Sequence, residues 1–314
     1  MNIKQLLAQS GMFLVFVVVL IGSYIIAPQF MSKDNMVSLG LAVSSTGLVA
    51  CTMLFCLAAG DFDLSVGSSF ALGGMIGVII DNATGSLFFA VVGAIAAGAV
   101  VGVLNGVVVA KFKINALITT LATMQIVRGL TNILGHGTPQ LASKPGFDFL
   151  GSKVYLSIPL PILLMVLFFV AFGVLLNRTV FGRNTLAIGG NKEAALLAGI
   201  QVARTKIAIF TLSGMVAAFG GIVAASRLQA ASNNAGEKLE LQAISACVLG
   251  GVSLSGGIGT MSGTVVGVLI MGIVENVMRL KNVDAFYQMV VTGTILLLAV
   301  LFDRVKLRIL NSSS

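Results

Sequence analysis

Tryptophan is absent from this chain of 314 residues, and histidine, cysteine and proline are rare, with one, three and five residues. One histidine cannot build a metal cluster, and the cysteines Cys51, Cys56 and Cys247 lie in apolar runs without the spacing of metal ligands. We therefore expect no metal site, and we predict that the thiols are small buried hydrophobes. Charged residues make up only 10% of the chain, whereas a soluble domain averages about a quarter, which excludes an ordinary soluble domain.

Motifs for nucleotide binding and hydrolysis are also missing. The sequence has neither a G-x-x-x-x-G-K-[ST] loop nor an H-E-x-x-H helix, and the glycine-rich stretch at residues 250–259 lacks a phosphate-binding lysine. That stretch is predicted to be a turn between apolar segments. We expect no catalytic residue and no cofactor, so any energy must come from another polypeptide or from an ion gradient.

Long apolar runs dominate what is present. Hydrophobic residues account for 57% of the chain, and the mean hydropathy is +1.04. Lipid cannot satisfy a bare backbone, so a run of about 20 apolar residues predicts a membrane-spanning helix. The sequence predicts an all-α, polytopic membrane protein with about ten transmembrane helices, some short or broken, in one domain over residues 1–314. The predicted spans are residues 11–27, 36–59, 66–80, 87–110, 116–134, 156–176, 207–225, 241–252, 260–278 and 286–301.

Ten spans place both termini on one side of the membrane. If that side is the cytoplasm, its segments carry eleven basic residues, among them Lys4, Arg304, Lys306 and Arg308, against seven outside. This excess follows the positive-inside rule and predicts cytoplasmic termini. The net charge of +8 therefore reports orientation, and no nucleic-acid partner is expected.

Two predicted spans, 66–80 and 241–252, are too short to cross about 30 Å of hydrocarbon as straight helices. Each adjoins a glycine-marked break, and such spans in transporters indicate the translocation path. Glycines also recur at helical contact spacing, which predicts close helix packing. These glycines are Gly98, Gly102, Gly106, Gly263 and Gly267.

Two polar segments are long enough to form contact surfaces on the two faces of the membrane. Residues 135–155 are predicted to be an outer, periplasmic loop and hold the single histidine, His136. Residues 177–206 are predicted to be cytoplasmic and carry five basic residues but one acid, Glu193.

Charged side chains within spans are costly in lipid and are candidates to line a path. Arg128 and Glu275 both fall in the outer halves of their spans, so we expect them to pair across helices or to line an outer vestibule; independent snorkelling to the interface is the alternative. Asp61 and Asp63 precede a helix predicted to begin near Leu64. They either cap it or contact a hydroxylated solute.

Three uncharged polar residues complete the set of path candidates. Ser65 is an alternative cap for the same helix, while Asn105 and Gln125 lie within spans. Each amide either faces the path or bonds a neighbouring helix.

The cytoplasmic segment contains NKEAALLAG at residues 191–199. Its E-A-A-x-x-x-G pattern resembles the EAA loop of bacterial ABC-importer permeases, whose short helix docks in a cleft of the ATPase subunit. The resemblance implies that small residues let this helix seat closely while its acid offers polar contacts. The implied ATPase-coupling residues are Asn191, Glu193, Ala194, Ala195 and Gly199.

Three further stretches resemble signatures of the monosaccharide permeases of ribose, xylose, galactose and arabinose importers: GDFDLSVG at 60–67, FGRNTLAIGGN at 181–191 and VLGGVSLSGGIG at 248–259. Residues 113–130 are most similar to the L-arabinose branch. The resemblance implies an ABC importer permease fold in the bacterial inner membrane, a homodimeric pore, a periplasmic sugar-binding protein and a separate ABC ATPase subunit. The expected substrate is a monosaccharide, most specifically L-arabinose, with the other sugars of the family as alternatives.

A different class of protein remains open from the residues alone. In an ion-coupled secondary transporter, Asp61, Asp63, Arg128 and Glu275 would form an ion or proton relay. Uptake without ATP that collapses with the proton gradient would favour that reading.

Overall fold

Helices make up most of the computed structural model, which describes the backbone of residues 3–312 and the side chains of residues 13–301. The helices are α1 (Ile3–Ile26), α2 (Lys33–Ala58), α3 (Val66–Thr84), α4 (Leu87–Ala110), α5 (Ala116–Leu134), α6 (Phe149–Ser152), α7 (Leu160–Arg178), α8 (Val180–Gly190), α9 (Lys192–Leu197), α10 (Val202–Leu228), α11 (Leu239–Leu249), α12 (Met261–Leu280) and α13 (Ala285–Ser312), with a short 3₁₀ helix at Pro28–Met31. The strands are β1 (Gln140–Leu141), β2 (Val154–Tyr155), β3 (Ile158–Pro159) and β4 (Ala230–Ala231). β1 pairs with β4 and β2 with β3, both antiparallel. The predicted helical class is confirmed, with these two-residue strands as the exceptions.

Seven helices in the described part are long and apolar enough to cross a membrane. They are α2, α3, α4, α5, α7, α10 and α12. Three shorter apolar helices, Phe13–Ile26, Leu239–Leu249 and Ala285–Leu301, occupy the other predicted spans. The predicted number of about ten crossings is therefore not confirmed. The side chains of Lys4, Arg304, Lys306 and Arg308, used in predicting orientation, lie outside the described residues.

One of the two spans predicted to be short is short, and the other is not. Helix α11 has 11 residues and rises about 16 Å, roughly half of the hydrocarbon thickness. Helix α3 has 19 residues and ends only at Gly85, which adopts a left-handed φ of 66°. The prediction that the span ends at residue 80 is wrong because the buried Asp81 continues the helix and its carbonyl accepts a hydrogen bond from the Gly85 N–H at 2.7 Å.

Glycines hold α4, α10 and α3 together by direct backbone contact. A Cβ added to Gly98 would collide with the Gly214 carbonyl oxygen of α10, and one added to Gly102 would collide with the Phe210 carbonyl. A Cβ on Gly73 of α3 would likewise collide with the Ala218 carbonyl of α10. The predicted close packing is confirmed, and we call this contact the glycine seam.

We expect Gly102→Leu to destabilise the fold by about 3 kcal/mol, because the backbone of α10 cannot yield as a flexible side chain would. The melting temperature of the purified protein in detergent should fall by roughly 5–10 °C. Gly22→Leu is the matched control, since a Cβ on Gly22 meets nothing within 4 Å. Equal melting temperatures for the two variants would contradict the seam.

The predicted outer segment folds back onto the end of α10. The Ser226 hydroxyl of α10 donates to the Phe147 carbonyl at 2.6 Å and accepts from the Gly151 N–H at 2.9 Å, and Phe147 is fully buried. Residues 135–155 are therefore anchored to their own chain through Phe147 and Gly151.

The glycine-rich stretch at residues 250–259 is a turn between α11 and α12, as predicted. Its Gly257 N–H donates to the Ala58 carbonyl at the end of α2, at 2.9 Å. Gly189 of α8 packs on the same carbonyl without room for a Cβ. The ends of α2 and α8 and the turn before α12 thus meet at one end of the bundle.

Candidate translocation and coupling sites

A buried ion pair joins the connection between α2 and α3 to the start of α10. Lys206 Nζ lies 2.6 Å from Asp61 Oδ2, and the two side chains are only 11% and 10% exposed. Burial raises the pKa of Asp61 above its usual value, and the Lys206 charge opposes that shift. Asp61 therefore ties two segments together at the end of the bundle where α8 also lies.

Three predicted path candidates form one hydrogen-bonded network. Asp63 Oδ1 accepts from the Ser65 N–H at 3.0 Å and from the Ser65 hydroxyl at 2.6 Å. Asn105 of α4 donates to the Ser65 hydroxyl at 2.9 Å and accepts from Thr123 of α5 at 2.7 Å. Asp63, Ser65 and Asn105 are each 1% exposed. The network therefore connects α3, α4 and α5 through buried polar atoms.

The predicted capping of the helix after Asp63 holds in part. Asp63 accepts the N–H of Ser65, but the helix begins at Val66 and not near Leu64. The Ser65 side chain makes no cap hydrogen bond. The carboxylate thus orders the entry into α3 one residue before the helix.

Arg128 and Glu275 do not pair with each other. Arg128 Nη1 donates to the backbone carbonyls of Asn233 at 2.6 Å and Ala235 at 2.9 Å. Glu275 accepts from Gln242 at 3.1 Å and lies 3.9 Å from Arg279 on its own helix. The predicted pair is wrong because position along a span gives depth but not which face of the bundle a side chain occupies.

Arg128 instead holds an irregular segment at mid-depth, residues 232–238, between α10 and α11. Gly236 in this segment packs against Gly67 and Phe70 near the start of α3. In the first turn of α11, which follows this segment, the Gln242 amide oxygen lies 3.4 Å from the hydroxyl of Thr46. Thr46 is halfway along α2. Non-helical backbone at such depth needs partners for its carbonyls, and the guanidinium supplies two hydrogen bonds.

Polar side chains of the mid-depth segment are exposed on the surface of the single chain. They are Asn234, Glu237 and Lys238. Gln125 of α5, one of the predicted candidates, is also exposed. Lipid does not accommodate exposed charges at this depth, so a wet cavity or another protein surface must face them.

The starts of α3 and α11 converge beside the mid-depth segment. A Cβ on Gly67, in the first turn of α3, would collide with the carboxylate of Glu240 in the first turn of α11. A carboxylate is favourable near a helix N-terminus, where backbone N–H groups are unpaired. Sequence reasoning missed Glu237, Lys238 and Glu240. The signal was the shortness of the span 241–252, which requires its preceding charges to lie within the membrane.

Helix α9 begins with a side-chain cap from a predicted coupling residue. Asn191 Oδ1 accepts a hydrogen bond from the Ala194 N–H at 2.9 Å. Glu193 lies in the first turn, where its charge complements the helix dipole.

The other end of α9 is a Schellman motif built on Gly199. The Gly199 N–H donates to the Leu196 carbonyl and the Ile200 N–H donates to the Ala195 carbonyl, both at 3.0 Å. Gly199 has a φ of 81°, a left-handed conformation that glycine adopts without strain. Asn191 and Gly199, the first and last residues of the stretch NKEAALLAG, thus fix the two ends of a six-residue helix.

One face of α9 is buried and the other is apolar and exposed. Ala195 is buried in a small cluster with Ile188 and Val202. Leu197 is 91% exposed and Leu196 is 53% exposed, while Glu193 and Ala194 are also at the surface. An exposed apolar knob of this kind on a rigid short helix suits contact with another protein.

This geometry defines a multi-pass helical membrane protein. A non-helical segment at mid-depth, residues 232–238, precedes the short helix α11, and the short helix α9 is exposed at one end of the bundle. The permease family described as "branched-chain amino acid transport system / permease component" matches residues 35–300. The chain belongs to this family.

Several curated relatives are similar over nearly the whole chain. The L-arabinose transport system permease protein AraH of Escherichia coli is 54% identical over 95% of this chain and 91% of the relative. The L-arabinose ABC transporter permease protein AraH of Azospirillum brasilense is 47% identical over 96% and 89%. The ribose import permease protein RbsC of Bacillus subtilis is 44% identical over 93% and 91%. No solved structure matches the chain.

Proposed function

We propose that this chain is the permease subunit of an ATP-driven importer that carries a monosaccharide, L-arabinose, across the bacterial inner membrane. Its membership of the permease family and the arabinose permeases among its relatives support this assignment. The observation that carries the proposal is α9, a capped helix whose apolar side chains are exposed where an ATPase subunit would dock. The chain itself is a non-catalytic transport subunit, and ATP is hydrolysed on the partner.

The complete assembly follows from the same assignment. The chain crosses the membrane about ten times with both termini in the cytoplasm, and residues 177–206 face the ATPase. A periplasmic sugar-binding protein delivers the sugar on the side of residues 135–155. Two copies of the chain form the pore. The exposed polar face formed by α5 and the mid-depth segment supports a pore there, because these side chains need water or protein beside them.

Coupling requires that movement at α9 reach the pore. Closure of the ATPase subunits on ATP would displace α9, and α8 is continuous with it through Asn191. Gly189 of α8 touches the end of α2 and the turn at residues 250–259 without intervening side chains. The attached helices then reorient the pore between inward and outward access.

Water access to the mid-depth segment tests the proposed path. The three native cysteines are buried, so one added cysteine reports alone. Glu237→Cys should react with a water-soluble methanethiosulfonate at least about tenfold faster than Val100→Cys, which is 60% exposed on α4 and should face lipid. Saturating sugar and binding protein should slow the reaction at Glu237→Cys. Equal slow rates for both variants would contradict a wet path.

Uptake by reconstituted vesicles tests the function. Vesicles containing this chain, its ATPase subunit and its binding protein receive radiolabelled L-arabinose, ribose, xylose or galactose, with and without ATP. We expect uptake only with ATP and the binding protein, and fastest with L-arabinose. Faster uptake of ribose than of L-arabinose would indicate that the substrate is ribose, as for the RbsC relatives. Uptake by the chain alone, driven by a proton gradient, would establish the ion-coupled alternative.

Among the described side chains, however, the four residues of the ion-relay hypothesis do not form one chain. Asp61 and Asp63 lie at the connection before α3, Arg128 bonds backbone carbonyls and Glu275 lies beside Gln242. This separation favours the ATP-driven importer.

A further inference from the structure

A groove of about 480 Å³ runs along the outer surface of the bundle between α7 and α12. Its walls are apolar, with Val166, Phe169, Val170 and Val174 from α7 and Met261 and Val265 from α12. Gly173 also lines the groove, and the Met261 side chain lies 3.5 Å from where a Cβ on Gly173 would be.

The length of the groove matches one leaflet of a bilayer. From Val166 to Arg178 the helix rises about 18 Å at 1.5 Å per residue. Half of the hydrocarbon thickness is about 15 Å. An acyl chain lying in the groove would therefore run from the middle of the membrane to its surface.

Polar groups occur only at the surface end of the groove. Asn177 and Arg178 end α7 there, and Ser262, which also lines the groove, lies in the first turn of α12. Arg178 is exposed and forms no ion pair within the described part of the chain. A guanidinium at headgroup level beside an apolar groove complements a lipid phosphate in charge and in hydrogen-bonding geometry.

We propose that this groove is a binding site for an anionic phospholipid, with one acyl chain between α7 and α12 and the phosphate on Arg178 and Ser262. The competing occupant is a second copy of the chain. The exposed polar side chains that need a protein or wet surface lie instead on α5 and residues 232–238, and α5 packs on α3 and α4 whereas α7 packs on α2 and α12. The apolar walls of the groove do not need a protein or wet surface beside them.

The absence of tryptophan provides a direct test. Val166→Trp places a single fluorophore at the inner end of the groove, and Val100→Trp places one on an ordinary exposed position of α4. The full chain is reconstituted in mixtures of phosphatidylglycerol and phosphatidylcholine in which one lipid carries brominated acyl chains. Quenching then gives the relative affinity of each position for the two lipids.

We expect a preference of about fivefold for phosphatidylglycerol at Val166→Trp and none at Val100→Trp. Adding Arg178→Gln should abolish the preference. Adding Arg183→Gln, an exposed arginine of α8 that does not line the groove, should leave it unchanged. Glycerol phosphate in the buffer should not reduce quenching, because the acyl chain anchors the ligand.

Three outcomes would overturn the proposal. A preference that survives Arg178→Gln would place the phosphate elsewhere. Quenching without headgroup preference would reduce the groove to ordinary lipid contact. Protection of Val166→Trp from both brominated lipids would show that a second copy covers the groove.

Discussion

Leu197→Asp is expected to abolish ATP-driven sugar uptake by removing the ATPase subunit from the complex. Leu197 is 91% exposed at the end of α9, so the substitution leaves the buried face of the helix intact. If the leucine fills a pocket of the partner, an aspartate there leaves a buried, unpaired charge. Truncating a central apolar anchor of an interface costs at least about 2 kcal/mol of binding free energy. That loss weakens binding about thirtyfold or more. Co-purification of the ATPase subunit and uptake by vesicles measure the two effects.

The matched control is Leu156→Asp. Leu156 is 97% exposed near the opposite end of the bundle, so the same chemical change is made at equal exposure. The ATPase subunit should bind this variant as it binds the unmodified chain. Full binding by Leu197→Asp would contradict the docking of the ATPase on α9.

Gly199 offers a second way to disturb the same helix. A bulky residue at its left-handed φ of 81° costs about 1–2 kcal/mol of strain and weakens the Schellman motif. Replacing Glu193 and Gly199 together with bulky residues should uncouple ATP hydrolysis from uptake. Full transport by that double variant would defeat the coupling role.

Lys206→Met should destabilise the protein by about 3–5 kcal/mol, because it leaves the Asp61 carboxylate buried without its counter-ion. The melting temperature in detergent should fall by roughly 6–10 °C. Adding Asp61→Asn removes the stranded charge, so the double variant should regain most of that loss. The coupling free energy from the double-mutant cycle gives the strength of the pair.

Arg279→Met serves as the control for the loss of a cation. Its partner Glu275 is 3.9 Å away and the Arg279 side chain is 49% exposed, so solvent screens the pair. We expect a loss of about 1 kcal/mol or less. A loss from Lys206→Met as small as that from Arg279→Met would contradict a tightly buried pair.

The sequence predicted those features that depend on local pattern. The helical spacing of Gly98, Gly102 and Gly106 predicted close helix packing without identifying α10 as the partner, since only a residue without a side chain permits such an approach. The apolar run at 241–252 correctly predicted a half-length helix, because helix length is set by rise per residue. Asn191 and Gly199 were predicted as coupling residues and not as caps, although both residue types favour helix ends.

Features that depend on which helices are neighbours were not predictable from one sequence. Arg128 and Glu275 have similar depths, but the chain path places the first beside residues 232–238 and the second beside Gln242. Asp81 was read as a helix end because it is charged, yet it is buried inside α3. Glu237 was missed as a candidate because its place beside α3 follows from the packing of Gly236 on Gly67.

The glycine seam has a mechanical consequence. Where main chains touch, no rotamer can change to absorb a displacement, so α3, α4 and α10 should move as one stiff plate. Bending during the transport cycle is then confined to the plate's borders, such as the unwound segment before α11. Amide protons of the plate should exchange with deuterium slowly in every state of the cycle, whereas protection at those borders should change when nucleotide binds.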